Sequence, residues 1–155
     1  MNMIAATRHS LAPEAFFLGR SVADGVFEDR FGRVRRRFHL SLHGERRDGA
    51  FHLAETTTDD TGAISQRRWV VLQTEAGHYR GTAEDIIGPA VGCLTAKGMH
   101  WRYGMRLGPS PLLRHVQVED WLYDAGPGRG LNRLWFRRFG ILLGTATLVI
   151  QRGEM

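Results

Sequence analysis

The sequence of 155 residues contains a single cysteine, Cys93, so no internal disulfide can form. Its longest largely apolar run, residues 141–150, is shorter than the ~20 residues that a membrane-spanning helix needs. The N-terminal residues lack the basic segment followed by an apolar segment that is typical of a signal peptide. We therefore predict a cytoplasmic protein without a membrane span.

Lysine is equally scarce, because the 21 basic residues are Lys97 and 20 arginines. They exceed the 16 acidic residues and give a net charge of +5. Acidic residues are interleaved with the arginines, and the longest basic tract is Arg35-Arg36-Arg37. A nucleic-acid-binding surface is typically a clustered basic patch. The charge pattern therefore predicts no nucleic-acid partner.

The chain lacks the short motifs of several common enzyme classes. It contains no Gly-x-Ser-x-Gly nucleophile motif and no glycine-rich phosphate loop with Lys and Ser or Thr. Three histidines, His39, His43 and His52, fall on one face of the predicted sheet, where imidazoles would suit a zinc ion. The neighbouring Arg35 and Arg37 favour a solvated outer face instead, because cations repel a metal. We expect no metal site and no cofactor.

The composition is that of a globular protein, 43% hydrophobic and 24% charged, and suits a single domain over residues 1–155. Glycines recur between short stretches in which apolar and polar residues alternate, which is typical of antiparallel strands. We predict an all-β, mostly up-and-down antiparallel barrel of the lipocalin or calycin type, with about 8–10 strands over residues 16–151. Residues 1–15 form an N-terminal extension, and residues 13–18 form at most a short helix.

Three consecutive hairpins can be placed in register. The first is predicted to pair apolar residues across a loop at residues 44–49: Leu42 with Phe51, and Leu40 with Leu53. The second and third turn at three-residue loops that end in glycine: Asp60-Thr61-Gly62 and Glu75-Ala76-Gly77. Such loops suit a type I turn with a bulge, and they place Glu55 opposite Arg67 and Tyr79 opposite Gln73.

Two later stretches differ in how regularly apolar and polar residues alternate. Residues 84–92 break the alternation, so we predict a bend or a crossing loop there. Residues 99–107 form the clearest strand in the chain. Its inward-facing residues are predicted to be Met99, Trp101, Tyr103 and Met105, and its outward-facing residues His100, Arg102 and Arg106.

These registers bring polar and aromatic side chains together on the inner face. The cluster comprises Glu55, Arg67, Trp69 and Tyr79, with Trp101 and Tyr103 from the later strand. A buried carboxylate and guanidinium are costly unless they are paired. Two interpretations stay open: a pocket in which Arg67 holds an anionic head group, or an ion pair that plugs a filled barrel. Asp120 is a further candidate, either for the same pocket or as a cap at a strand end.

Short blocks in a fixed order extend over nearly the whole chain. They are Phe16-Phe17-Leu18-Gly19, Gly25-Val26-Phe27-Glu28-Asp29-Arg30-Phe31-Gly32, Arg67-Arg68-Trp69, Tyr79-Arg80-Gly81-Thr82-Ala83, Ile87-Gly88-Pro89-Ala90-Val91-Gly92, Trp101-Arg102-Tyr103, Asp120-Trp121, Asn132-Arg133 and Phe139-Gly140. With these blocks the chain resembles the bacterial family catalogued as domain of unknown function 3833. The resemblance implies a lipocalin-like barrel and transfers no catalytic residue. Many family members look like envelope lipoproteins, whereas this sequence shows no lipobox cysteine, so we expect it in the cytoplasm.

Three function classes fit these features. The first, which we favour, is a barrel that binds a small amphipathic or anionic hydrophobic molecule, because a barrel of about eight strands just holds one small ligand. The second is an enzyme that uses Glu55 or Asp120 as base and Tyr79 or Tyr103 as acid. Arg67 argues against it, because a paired cation should lower the pKa of Glu55. The third is a filled barrel with a structural or interaction role.

Overall fold

Alternating apolar and polar residues between glycine turns produce ten antiparallel strands in the computed structural model, which describes residues 11–153. One short helix, α1 (Pro13–Phe16), precedes them. The strands are β1 (Gly19–Asp29), β2 (Val34–Arg47), β3 (Ala50–Asp59), β4 (Ile64–Glu75), β5 (His78–Thr82), β6 (Ile86–Leu94), β7 (Met99–Met105), β8 (Val116–Asp124), β9 (Arg129–Arg138) and β10 (Ile141–Arg152). Each strand pairs with its sequence neighbours, and β1 pairs with β10 to close the barrel. The predicted up-and-down barrel with a short helix is confirmed.

The two ends of the barrel differ, because antiparallel strands place successive turns at alternate ends. At the helix end, α1 begins at Pro13, a residue suited to the first helical turn because it lacks an N–H. Phe16 is buried against β9, where a Cβ on Gly130 would lie 2.8 Å from its ring. We call the opposite end the far rim; it comprises residues 28–37, 59–64, 83–86, 105–116 and 137–141. Residues 1–10 of the predicted extension lie outside the described residues.

The predicted register of the first hairpin is wrong by four residues. Leu42 pairs with Glu55 and Gly44 with Leu53, because the ladder continues to a tight turn at Asp48-Gly49. Both turn residues have positive φ, 53° and 75°, as the preferred two-residue hairpin turn requires. Because the shift is an even number of residues, every side chain keeps its predicted face.

Gly44 is a strand residue rather than part of a loop. A Cβ at this position would lie 2.0 Å from the backbone oxygen of Phe17. The absent side chain therefore lets the segment after α1 approach β2. The second and third hairpins do form as predicted, with Glu55 opposite Arg67 and Tyr79 opposite Gln73.

The bend predicted for residues 84–92 is also wrong, because strand β6 occupies most of this stretch. Gly88 has φ 68°, and it lies with Pro89 where the β6–β7 register breaks between Ile87 and Val91. A proline cannot donate to the ladder, so this pair interrupts the apolar pattern without ending the strand.

Strand β7 has the predicted phase. Met99, Tyr103 and Met105 are buried, whereas Arg102 is exposed. His100 departs from its predicted solvent exposure, since it is half-buried on the outer wall and stacks on Trp121 at a ring distance of 4.2 Å.

Candidate functional site

The inward-facing side chains surround a cavity of about 370 Å³. Small-molecule sites typically measure about 300–1,000 Å³. Leu11, Pro13 and Phe17 line it at the helix end, so α1 and its flanking residues close that side. Leu107 of the far rim lines the opposite end. The barrel is therefore hollow, and the interpretation as a filled barrel does not fit.

The wall of the cavity is mainly apolar and partly aromatic. Its aromatic members are Phe17, Phe38, Phe51, Trp69, Trp101, Tyr103 and Phe136. Trp69 meets Tyr103 edge to face, with ring centroids 5.5 Å apart. Gly92 leaves the space that the Trp101 indole occupies, because a Cβ there would lie 2.8 Å from the ring. These rings offer a flat apolar surface to a bound molecule.

Arg67 lies at the centre of the polar part of this wall. Its Nη1 is 3.6 Å from Glu55 Oε2, as the β3–β4 register predicts. Its stronger partner is Asp85, which accepts from Nη2 at 2.6 Å and from Nε at 3.0 and 3.1 Å. No sequence pattern indicated Asp85, because it lies in the turn between β5 and β6. The fork that we expected to hold an anionic head is already bonded by a carboxylate.

The Arg67–Asp85 pair also completes the barrel wall. The β4–β5 ladder begins at Val70, so residues 64–69 of β4 have no strand partner on that side within the described chain. Asp85 reaches Arg67 across this gap, and the Glu84 carboxylate accepts from the Arg68 N–H at 3.5 Å. Side chains thus bridge the wall where backbone pairing stops.

Asp120 forms a second polar centre. It lies in the middle of β8 and lines the cavity, so its interpretation as a strand-end cap is wrong. The Tyr103 hydroxyl donates to Asp120 Oδ2 at 3.2 Å, and the Asn132 amide donates to Oδ1. Asn132 also donates to the Trp121 carbonyl at 2.8 Å. The sequence signals for Asn132 are its polar side chain at an inward position of β9 and its place in the block Asn132-Arg133.

The electrostatics of the cavity are dominated by burial. Burial raises the pKa of Glu55 to about 7; Arg67 opposes this rise, and the nearby charges of Asp120 and Asp85 add to it. Burial likewise raises the pKa of Asp120 to about 6, against its hydrogen bonds from Asn132 and Tyr103. The expected lowering of the Glu55 pKa by Arg67 is therefore wrong. Desolvation outweighs one partly shared cation.

Tyr79 does not join the other candidates. It is buried on β5 with its ring 6.4 Å from Trp101, yet among residues 11–153 it is not part of the cavity wall. Its hydroxyl donates to Glu14 Oε1 at 2.9 Å, and burial with this bond raises its pKa. Tyr79 thus attaches α1 to the barrel. The other six candidates, Glu55, Arg67, Trp69, Trp101, Tyr103 and Asp120, all line the cavity.

The fold and the cavity define a hollow, ten-stranded antiparallel barrel whose mainly apolar interior contains the carboxylates of Glu55 and Asp120. The chain belongs to the family described as protein of unknown function DUF3833, whose profile matches residues 1–152. The predicted family resemblance is therefore confirmed. No curated protein sequence matches the chain.

Solved structures share the fold at low sequence identity. The S-type phycobiliprotein lyase CPES from Guillardia theta superposes with a TM-score of 0.64, 8% identity and 96% coverage of both chains. A de novo designed fluorescence-activating β-barrel covers 91% of this chain and 97% of its own, with 10% identity and a TM-score of 0.44. The first likeness supports the barrel fold alone. Within residues 11–153, no helix is long and apolar enough to cross a membrane.

Proposed function

We propose that the barrel binds one small amphipathic molecule in its cavity. The observation that carries this proposal is a cavity of about 370 Å³ whose apolar wall surrounds buried carboxylates. The helix end of the cavity is apolar, with Phe51, Met99 and Ile150 in its wall, and the carboxylates lie nearer the middle. An apolar body would therefore lie toward α1, with a polar head beside Glu55.

The charges indicate which head group suits this position. Among the described residues, the charged groups that line the cavity are Glu55, Asp120 and Arg67, and Arg67 is bonded by Asp85, which lies outside the cavity wall. Both oxygens of Asp120 accept hydrogen bonds, whereas the ion contact of Glu55 to Arg67 is 3.6 Å long. Glu55 is thus the group with most capacity to accept from a ligand. A head that donates hydrogen bonds, such as an amine or a hydroxyl, suits the site better than the anion that we first expected.

Two fluorescent probes with the same alkyl chain test this preference for the head group. Each carries a dansyl group at one end of the chain; the other end is a free amine in one probe and a carboxylate in the other. At pH 8 we expect the amine to bind more tightly, because Glu55 and Asp120 are then ionised. The preference should decrease below about pH 6 as both carboxylates take up protons. Glu55→Gln should weaken binding of the amine probe about tenfold, because one hydrogen bond to a charged group is lost. Glu45→Gln, on an exposed position of β2, is the matched control.

Three results bear against the proposal. Failure of both probes to bind would contradict a ligand-binding cavity. Equal binding by the parent and Glu55→Gln would contradict the role of Glu55. Tighter binding of the fatty acid at pH 8 would restore the anionic ligand and the role of Arg67 that we first expected.

An enzyme on the same barrel is the second candidate. The hydrogen bond between Tyr103 and Asp120 favours it, because a carboxyl group with a pKa of about 6 inside a cavity suits proton transfer. Native mass spectrometry of the protein purified from its own host would distinguish the two. A binding protein should retain the same molecule in the parent and in Asp120→Asn. An enzyme should retain a different mass, its unconverted substrate, in the variant.

A further inference from the structure

Exposed hydrophobic side chains are concentrated at the far rim. Of the twelve large hydrophobic residues that are exposed in the described chain, seven lie there: Phe31, Val34, Ile64, Leu107, Leu112, Phe139 and Ile141. At the helix end, the turns at residues 48–49, 76–77, 95–98 and 125–128 contribute none, and the segment between α1 and β1 contributes only Leu18 among the described residues. The two ends are built by the same meander, so the topology alone does not account for this difference.

Two neighbouring turns of the far rim carry the same tripeptide. Arg30-Phe31-Gly32 joins β1 to β2, and Arg138-Phe139-Gly140 joins β9 to β10. Because β1 pairs with β10, the two turns are adjacent. Phe31 is 72% exposed and Phe139 is 81% exposed. In each turn the arginine guanidinium lies over the phenylalanine ring, at 4.8 and 4.3 Å from the centroid.

Turn formation does not require a phenylalanine here. Phe139 and Gly140 have φ values of 51° and 75°, almost the same as Asp48 and Gly49 at the helix end. Asp48-Gly49 is the sequence that such a turn favours, because Asp and Asn tolerate positive φ. A bulky aromatic residue in this conformation is uncommon. Phe139 thus carries a conformational cost that the helix-end turn avoids.

The positive charge of the chain is concentrated beside these two rings. Segments 28–37 and 137–141 contain seven arginines and two acidic residues, a net charge of +5. This equals the net charge of the whole sequence, so the basic and acidic residues in the rest of the chain are equal in number. One of the two acids, Asp29, is already engaged, because it pairs with Arg35 and accepts from the N–H groups of Phe31 and Arg33.

We propose that the side of the far rim formed by residues 28–37 and 137–141 docks on the surface of a bilayer that contains anionic lipids; the other far-rim segments hold Asp59, Asp60, Glu84 and Asp85 against Arg106 and Arg114 and stay outside the contact. Phe31 and Phe139 would insert among the head groups, and the surrounding arginines would bind lipid phosphates. Exposed apolar side chains beside basic ones are the combination that holds a protein at a bilayer interface, and each basic residue near the surface contributes about 1 kcal/mol. Docking would turn the far-rim end of the cavity toward the lipid, but it does not depend on what the cavity binds.

The test is flotation of the full chain with vesicles of phosphatidylcholine alone and with one quarter phosphatidylglycerol. We expect binding to the anionic vesicles only, and its loss at high salt. Phe31→Ser with Phe139→Asn should weaken it by about tenfold for each ring removed from the interface. Leu72→Ser, at a half-exposed position on the outer wall, is the matched control and should bind like the parent. Asn suits the turn, so Phe139→Asn should fold at least as stably as the parent.

Several outcomes would overturn the inference. One is that the parent protein does not float with anionic vesicles at low salt. Another is that the double variant floats with them as the parent does. Self-association of the parent that the double variant abolishes, without vesicle binding, would assign the rim to a second copy of this chain. Binding to single-stranded RNA in place of vesicles would assign it to a nucleic acid.

Discussion

Lowering the pH from 8 to 5 should stabilise the barrel, because Glu55 is buried with its pKa raised from 4.5 to about 7. Below pH 4.5 the group is neutral in the folded and the unfolded chain, so its burial costs no charge. As the pH rises through 7, the folded chain must hold a buried carboxylate that the unfolded chain solvates. The free energy of unfolding should therefore fall by about 2–3 kcal/mol between pH 5 and 8 from Glu55 alone.

Other groups do not reverse this direction. Asp120, whose pKa rises from 3.8 to about 6, acts with the same sign, although the two carboxylates titrate as a coupled pair and do not add fully. Asp29, Asp59 and Glu119 have pKa values below their ordinary 3.8, 3.8 and 4.5, so their contributions to stability are lost mainly below this window.

Urea unfolding followed by tryptophan fluorescence at pH 5, 6, 7 and 8 measures the effect. Glu55→Gln keeps the shape of the side chain without the charge and should remove about 2–3 kcal/mol of the pH dependence. Glu45→Gln on the exposed face of β2 should keep the parental dependence. A parent whose stability is constant or rises between pH 5 and 8 would refute the reasoning, as would an unchanged slope in Glu55→Gln.

Two further substitutions examine the wall and the docking of α1. Arg67→Met should lower the free energy of unfolding by about 2–3 kcal/mol in urea, less than a fully buried pair would cost because Asp85 is partly exposed. Adding Glu55→Leu should recover only part of this loss, since Asp85 stays unpaired; full recovery would show that Asp85 is irrelevant. Gly44→Ala should lower the melting temperature far more than Gly81→Ala. The added Cβ lies 2.0 Å from a backbone oxygen in the first case and 3.4 Å from a ring in the second.

Turn chemistry decided which parts of the fold could be predicted. The loops ending at Gly62 and Gly77 have a length that selects one turn form, so the registers on either side follow from them. The predicted register of the first hairpin is wrong because it assigns both Gly44 and Gly49 to the loop. Asp48-Gly49 was the local signal for the correct two-residue turn, and its ladder makes Gly44 a strand residue. The need for a glycine at position 44 could not be predicted, because it comes from a contact with Phe17, a residue distant in sequence.

In the candidate site, too, the contacts that follow from strand register could be predicted and the others could not. Glu55 and Arg67 could be placed together, because a cross-strand pair follows directly from the register. Asp85 could not, since it reaches Arg67 from a turn across a gap in the β4–β5 ladder. The direction of the Glu55 pKa also escaped prediction. It depends on a balance between burial and one cation, and only the packed structure defines how complete the burial is.

The two proposals, ligand binding in the cavity and docking on a bilayer, agree on how a ligand is oriented along the barrel axis. The far rim carries the exposed phenylalanines and the arginines, whereas the helix end is closed by α1 and lined by apolar residues. A molecule that entered from a docked bilayer would move its apolar body past Glu55 toward Met99 and leave its polar head in the middle of the barrel. The reverse orientation would place the head among the apolar side chains of Leu11, Pro13 and Phe17, away from Glu55 and Asp120, and burying a polar group in apolar surroundings costs free energy. Docking and binding therefore both favour a ligand whose head points toward the lipid surface.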